Sequence, residues 1–227
     1  HAVHRVWSVD GLQVDSNRFG GRRAAARFNE EYDAFVVPLA NAFRPSFHEA
    51  LDRLTSAIEQ LTIPVIVVGV GAQFNLRNNQ ERLDPMADSV KRFVSAVLDR
   101  SATIGVRGET TYDYLKSLGF DAVEVIGCPS MFMYGPQLPA FRPVGQLTPE
   151  SKVSVGISPY VKPMGRIVMN ALERYPRLTY LPQDIQTLRK MILGENEEEV
   201  GLSSEIPVYL NHPLFERDQV RFFVDPL

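Results

Sequence analysis

Apolar side chains recur along the chain with the period of an α-helix in several separate segments. In residues 46–61 the large apolar side chains are spaced four, three, four and three positions apart, at Phe47, Leu51, Leu54, Ile58 and Leu61. This spacing places them on one face of a helix. A second segment predicts a helix that begins at Asp84 as N-cap, with Pro85 in the first helical position. A third predicts a helix over residues 109–118, which Gly119 ends.

Short apolar runs lie between these helical segments and predict β-strands. They occupy residues 34–39, 63–70, 103–106 and 123–126. Residues 63–70 are continuously apolar and mostly β-branched, which is typical of a strand buried on both faces. Strands that alternate with helices predict an α/β fold, with a parallel sheet and helices on both of its faces.

Prolines interrupt this pattern near the middle of the chain, at Pro136, Pro139, Pro143 and Pro149. Proline blocks both helix and sheet hydrogen bonding, so residues 136–149 are interpreted as a linker. The alternation then resumes with strands at 153–157, 178–181 and 222–224 and helices at 165–175 and 185–193. The sequence therefore predicts two Rossmann-like parallel-sheet domains. The first spans residues 1–135, and the second spans residues 150–227 and is incomplete.

Composition narrows the classes of function. The formal net charge of −3 and the pI of about 5.9 exclude a strongly basic nucleic-acid-binding protein. No apolar stretch is long enough to span a bilayer, which leaves peripheral contact with a membrane open. The single cysteine excludes an intrachain disulfide framework and favours a reducing compartment. Because the chain opens at His1 and closes just after a predicted strand, we expect a fragment, or a chain without its flexible parts.

Charged and titratable residues outside the predicted loops offer little chemistry. The cluster of Arg18, Arg22, Arg23 and Arg27 is interpreted as a solvated, mobile basic segment, with an acidic acceptor or a lipid head group as the alternative partner. The histidines at positions 1, 4, 48 and 212 show no metal-ligand spacing, so no metal site is predicted. His48 is expected at the surface or at the boundary of the core.

Three polar or glycine-rich loops each follow a predicted strand directly. Because the carboxyl ends of parallel strands meet at one edge of a sheet, the three loops should lie together, where ligands of such folds bind. The first contains Gly69, Gly71 and Gln73, and its glycines would let a ligand approach the backbone closely. It lacks the third glycine of a dinucleotide fingerprint, so NAD binding is poorly supported. A simple tight turn is an equally good interpretation of the spacing.

Arg107 stands in the second loop, between the end of a buried strand and the start of a helix. Backbone N–H groups and the positive end of the helix dipole converge at such a position. A guanidinium group there could bind a phosphate or a carboxylate through two hydrogen bonds. The alternative is an ion pair with a neighbouring acid, Glu109 or Asp113.

The third loop is Gly127-Cys128-Pro129-Ser130. Pro129 restricts its own backbone and that of Cys128, so the loop has few conformations open to it. Ser130 could cap the following turn or donate a hydrogen bond to a ligand. Cys128 is interpreted as a small buried thiol rather than as a nucleophile, because no paired base is evident.

Taken together, these loops resemble the polysaccharide pyruvyl transferase family. The resemblance rests on residues 69–71, 104–109 and 125–130, and on Leu181-Pro182-Gln183. The chain departs from the common pattern at Gly105, where the family has serine, at Gly108, where it has an acid, and at Cys128, where many members have aspartate. The family's C-terminal arginine-x-histidine stretch and its glycine-rich start are not found, so the catalytic residues stay unknown.

The resemblance implies a glycosyltransferase-B-like arrangement, and transfer of a pyruvyl group from phosphoenolpyruvate to two hydroxyls of a sugar or glycan precursor, as a ketal. Arg107 would bind phosphoenolpyruvate, with Gly71, Gln73 and Ser130 lining the cleft. Phosphoenolpyruvate is the donor substrate, and no further cofactor and no nucleic acid is expected. A cytoplasmic location and a role in exopolysaccharide biosynthesis would follow. The alternatives are a nucleotide-sugar glycosyltransferase or epimerase, and a non-catalytic sugar-binding protein of the same fold.

Overall fold

A computed structural model of the chain describes residues 7, 9–15, 22–74, 83–138, 140, 143, 145–157, 164–182, 217 and 219. The chain forms two compact units, His1–Ala140 and Phe141–Leu227. Each unit is considered by itself below. The domain and linker bounds expected from the sequence remain a prediction.

The first unit alternates strands and helices in the order that the sequence predicts. Its described strands are β1 (Phe35–Pro38), β2 (Val65–Val68), β3 (Ile104–Val106) and β4 (Val123–Val125). Its described helices of at least nine residues are α1 (Arg22–Glu31), α2 (His48–Ile58), α3 (Ala87–Leu98) and α4 (Glu109–Ser117). Single 3₁₀ turns, Pro45–Phe47 and Asp84–Met86, lead into α2 and α3.

The strands of the first unit pair in parallel, as the α/β prediction requires. β1 pairs with β2 from Phe35 opposite Val65, and β3 pairs with β4 from Ile104 opposite Val123. β2 and β3 are joined just beyond the end of β2, where Val70 bridges Val106 in parallel. The four strands are therefore neighbours in chain order, and their carboxyl ends lie at one edge.

The core of this unit lies between the helices and the strands. Its largest fully buried side chains are Phe28, Phe43, Phe93, Leu51, Ile58, Leu61, Leu83, Met86, Ile104 and Leu115. Phe28 comes from α1, which corrects the interpretation of the N-terminal arginines as a mobile segment, while Arg27 itself is solvent-exposed as expected. In the described part of that segment, residues 22–31 form a helix, and Ala25 and Phe28 anchor it in the core.

Two further details of the first unit differ from the sequence prediction. Val65 and Val67 are fully buried, but Ile66 and Val68 are only half-buried, so β2 is not equally covered on its two faces. Asp84 is not an N-cap, because it lies inside the 3₁₀ turn that Leu83 precedes, and no side-chain capping bond forms there. Side-chain alternation in β2 and the extra turn before α3 are tertiary features that apolar periodicity does not encode.

Gly119 ends α4 as predicted. Its φ of +95° lies in the left-handed region that glycine favours. Its N–H donates to the carbonyl of Lys116 at 3.0 Å, and the N–H of Phe120 donates to that of Leu115 at 3.1 Å. These bonds satisfy carbonyls that the end of a helix otherwise leaves unpaired.

The second unit contains β5 (Val153–Ile157), α5 (Met164–Arg174) and β6 (Leu178–Pro182), with β5 and β6 paired in parallel. Among the residues of this unit that the structure describes, the buried ones are Val168, Leu172, Leu178 and Tyr180. The predicted helix at 185–193 and the predicted strand at 222–224 lie outside the described residues. Among the described residues of the whole chain, no helix is long and apolar enough to cross a membrane.

Candidate active site at the carboxyl ends of the strands

A distortion after β2 shapes the candidate site. The N–H groups of Gly69 and Val70 both donate to the carbonyl of Gly105, at 3.0 and 3.2 Å, so two residues of one strand face one position of the next. Gly69 has a φ of +70°, and a Cβ built on it would lie 2.7 Å from Cδ of Pro129. Only glycine meets both conditions, and this close approach fixes the first loop against the third.

Gly71 lies between the loop that follows β1 and Arg107. Its N–H donates to the carbonyl of Ala40 at 2.5 Å, and a Cβ built on it would lie 3.0 Å from that oxygen. The same Cβ would lie 3.8 Å from Cβ of Arg107. The backbone N–H of Arg107 donates to the carbonyl of Val70 at 2.9 Å. The first and second loops therefore pack side by side, as the shared sheet edge predicts.

The side chain of Arg107 is half-buried and held by the backbone of the first loop. Its Nε–H donates to the carbonyl of Gly69 at 3.2 Å. Among the described residues it forms no ion pair, either with Glu109 or with Asp113, which argues against the structural alternative considered for it. A guanidinium has five N–H donors, and one is used here, so the two terminal amino groups can receive an anion.

Gln73 lies further along the first loop and is exposed. Its backbone N–H donates to the carbonyl of Phe43 at 2.9 Å, and the N–H of Phe43 donates to that of Gly71 at 3.1 Å. The first loop therefore continues the sheet for one more pair beside the segment that follows β1. Gln73 can reach a ligand at this edge only from the outer end of that extension.

Cys128 and Ser130 form the third part of the site. Sγ of Cys128 lies 3.0 Å from Oγ of Ser130. The hydrogen bond from Ser130 lowers the pKa of the Cys128 thiol, and the positive charge of Arg107 lowers it further. Arg107 therefore lies close enough to this loop for its charge to act on the thiol. Cys128 is half-buried and hydrogen-bonded, which corrects its interpretation as a buried thiol.

A family comparison fits this arrangement. The model of the polysaccharide pyruvyl transferase family matches residues 28–196, which is more than half of the chain. The chain belongs to the polysaccharide pyruvyl transferase family. No curated protein and no solved structure is significantly similar to it.

The match to the pyruvyl transferase family includes Gly71, Gln73, Arg107 and Ser130, and it begins at Phe28 in α1. The sequence prediction of the family is therefore confirmed. Membership of a transferase family points to an enzyme and to a polysaccharide product. The roles of the four residues in binding a substrate stay predictions.

One residue that supports this pyruvyl transferase site escaped the sequence analysis. Thr111, in the first turn of α4, is 4% exposed, and its Oγ1 accepts a hydrogen bond from the N–H of Ala72 at 3.0 Å. This bond ties the first loop to the helix that follows Arg107. A threonine early in a helix is common, and only the fold shows which backbone group it meets.

The structure explains part of the difference between this chain and the family's sequence pattern. A Cβ on Gly105 would lie 2.5 Å from Cδ1 of Ile126 and 3.0 Å from the carbonyl of Val67, so the family's serine could not be placed there without movement. Gly108 has open space around it and extended backbone. Its replacement of the family's acid leaves Arg107 without that neighbouring carboxylate.

Histidine, which could transfer protons, is not found beside Arg107 in the part of the chain that the structure describes. His48 instead lies on α2, where Nε2 is 2.7 Å from Oγ of Ser89 and 3.6 Å from Oδ2 of Asp52. The other three histidines lie outside the described residues. Within those residues, no three His, Cys, Asp or Glu side chains come together as a metal ion would require.

Proposed function

We propose that the protein transfers a pyruvyl group from phosphoenolpyruvate to two hydroxyls of a sugar, in a polysaccharide or its precursor, and forms a cyclic ketal. Membership of the pyruvyl transferase family supports the reaction class. We further propose that two Rossmann-like domains in a glycosyltransferase-B-like arrangement carry the reaction, since each unit contains parallel strands with a helix between them.

The observation that carries the proposal is how the guanidinium group of Arg107 is held. Its Nε–H is fixed on a backbone carbonyl, and it forms no ion pair with a described carboxylate. It lies two residues before α4, next to the N-cap Gly108, which makes no side-chain capping bond. Fixed positive charge combined with a helix N-terminus favours a phosphate group strongly. Phosphoenolpyruvate carries such a phosphate beside a carboxylate.

The proposed reaction converts the carbon of the donor that carries the enol phosphate oxygen into a ketal carbon. A general acid protonates the methylene carbon, which becomes a methyl group, while the first sugar hydroxyl attacks the adjacent carbon and loses its proton to a base. The bond from that carbon to the phosphate oxygen then breaks, and inorganic phosphate leaves. The second hydroxyl adds to the same carbon, loses its proton and closes the ring.

The residues of the described loops would bind and orient the donor. Arg107 would hold its phosphate and stabilise the negative charge that grows on it as it leaves. Gly71 would allow the donor to approach the backbone, and Ser130 would donate a hydrogen bond. The exposed Gln73 would line the cleft. The acid and the base are not assigned.

The test is a titration with phosphoenolpyruvate, followed as the shift in melting temperature. At about 100 times its dissociation constant, a ligand stabilises the native state by about 2.7 kcal/mol. We expect this shift in the wild type and its loss in Arg107→Ala. Arg53→Ala is the matched control, because Arg53 lies on α2, is 73% exposed and should not affect the shift.

Two results would contradict the proposal. An Arg107→Ala protein that binds phosphoenolpyruvate as well as the wild type would exclude Arg107 as its ligand. A wild type that ignores phosphoenolpyruvate but is stabilised by a uridine or guanosine diphosphate sugar would favour a nucleotide-sugar glycosyltransferase or epimerase.

A further inference from the structure

A second arginine, Arg44, lies at the same edge of the sheet, in a position that is unfavourable for a positive charge. Arg44 precedes the 3₁₀ turn Pro45–Phe47, which leads directly into α2. A positive charge at the start of a helix is unfavourable, because the helix dipole is also positive there. Ser, Thr, Asp or Asn at this position would cap the turn, whereas Arg44 makes no side-chain capping bond.

The immediate surroundings of Arg44 do not offset this cost. Its Nε is buried and has no hydrogen-bond partner among the described residues, although a buried donor left unpaired is destabilising. Among the described residues it forms no ion pair with an acid. Its guanidinium lies over the ring of the neighbouring Phe47, with Cζ 5.6 Å from the ring centre. Local rules broken without compensation are typical of functional sites.

The backbone places Arg44 and Arg107 on opposite sides of the first loop. Phe43 pairs with Ala72 on one side, and Arg107 bonds to Val70 on the other. Two strand spacings therefore separate the chain at Arg44 from the chain at Arg107, a distance of about 10 Å. Two arginine side chains can close that distance around a donor with two anionic groups. Arg44 is half-buried, as Arg107 is.

We propose that Arg44 binds the carboxylate of the donor while Arg107 binds its phosphate; this inference rests on the function proposed above. The phosphate is assigned to Arg107 and the carboxylate to Arg44 because the two helix starts differ in their backbone N–H donors. Arg107 precedes α4, whose first turn offers backbone N–H groups to a doubly charged phosphate. Arg44 precedes Pro45, which has no N–H, so fewer backbone donors are present. A guanidinium fork alone suits a carboxylate.

The test distinguishes recognition of the donor's carboxylate from recognition of its phosphate. Binding of phosphoenolpyruvate, ethyl phosphate (no carboxylate) and pyruvate (no phosphate) is measured by titration calorimetry on the whole chain. We expect Arg44→Gln to weaken phosphoenolpyruvate binding by about 10- to 100-fold and to leave ethyl phosphate binding unchanged, since a charged hydrogen bond contributes on that scale. Arg107→Gln should weaken binding of both phosphate compounds.

Two further variants distinguish a binding role from a structural one. Arg44→Lys keeps the charge but not the fork, so it should recover part of the loss. Arg53→Gln, on the exposed face of α2, should change nothing. Loss of binding of all three compounds in both Arg44 variants would mean that Arg44 only supports the fold of the loop, and would overturn the inference.

The inference and the proposed function fail in different ways. If the wild type binds phosphoenolpyruvate, Arg107→Gln abolishes the binding, and Arg44→Gln binds it as the wild type does, then only the role of Arg44 is wrong. If the wild type binds none of the three compounds, the donor itself is wrong and the inference falls with it.

Discussion

Gly69 allows the first and third loops of the site to pack closely, because it has no side chain. Its left-handed backbone turns the chain after β2, and the missing side chain admits the ring of Pro129. Both requirements act on one residue, whereas Gly127 in the facing loop has a similar φ of +76° and open space around it. The two glycines therefore separate the effect of backbone conformation from the effect of crowding.

We expect Gly69→Ala to destabilise the protein by about 2–5 kcal/mol. Left-handed backbone costs an alanine about 1–2 kcal/mol, and overpacking costs about 1–3 kcal/mol more. Gly127→Ala carries only the first cost, so it should lose about 1–2 kcal/mol. Urea unfolding of both variants measures the difference. Equal losses would mean that contact with Pro129 does not constrain the first loop.

Cys128 gives a direct probe of the same site, because it is the single cysteine of the chain. The hydrogen bond from Ser130, and after it the charge of Arg107, lower the pKa of its thiol. The rate of alkylation by iodoacetamide, measured against pH, should therefore have its midpoint below the ordinary thiol value of about 8.5. Ser130→Ala should move that midpoint upward.

A second variant checks the cause. Arg107→Gln should also raise the midpoint, but by less than Ser130→Ala, because its effect on the thiol is the smaller one. A midpoint that neither substitution changes would place Cys128 apart from both residues.

At the scale of elements, α3 is held in place by an apolar contact and a polar contact that should contribute very differently to stability. Phe93 of α3 is fully buried and packs edge-to-face against Phe43, with ring centres 6.0 Å apart. One residue earlier, Arg92 binds both carboxylate oxygens of Glu59, at 2.8 and 2.7 Å, and Oγ of Ser56 at 2.9 Å. This pair lies at the surface, where solvent weakens it.

We expect Phe93→Ala to cost about 3–5 kcal/mol of unfolding free energy, because it leaves a cavity beneath the first loop. Arg92→Gln should cost less than about 1 kcal/mol, despite its three hydrogen bonds, because exposed ion pairs contribute little. Urea unfolding at low and at high salt measures both. Salt should change the cost of Arg92→Gln and leave that of Phe93→Ala unaffected.

The sequence predicted the described strands and α2 to α5 well, because apolar spacing reports burial directly. It missed α1, where Ala25 and Phe28 are the buried residues and arginines are prominent in the sequence. It identified Arg107, whose place at a strand end is visible in the sequence. It could not identify Arg44 or Thr111 as part of the edge, because only the parallel pairing of Phe43 with Ala72 brings those segments together.

At the scale of the whole molecule, the first unit contains a closed core of its own. The cluster of buried apolar residues that includes Phe28, Phe93 and Leu115 has all of its members between Ala25 and Val123. The buried residues of the second unit lie from Val168 to Tyr180 and are not part of that cluster. The candidate site is built entirely from the first unit as far as the described residues extend.

We therefore expect residues 1–140, expressed alone, to unfold cooperatively in urea. The far-ultraviolet circular dichroism of this piece should resemble that of a mixed α/β protein, and the Phe93→Ala substitution should lower its urea midpoint. A gradual transition, or a midpoint that Phe93→Ala does not change, would show that the first unit needs the rest of the chain.

The backbone carbonyl of Gly69 affects which amino-acid substitutions the site can accept during evolution. The distortion after β2 brings this oxygen within reach of Nε of Arg107, so a main-chain atom orients the arginine. Every amino acid has a backbone carbonyl, so substitution of a neighbouring side chain does not remove the acceptor of this hydrogen bond. Side chains elsewhere at this edge can therefore change, by natural drift or by laboratory selection, while the backbone keeps Arg107 in the same orientation.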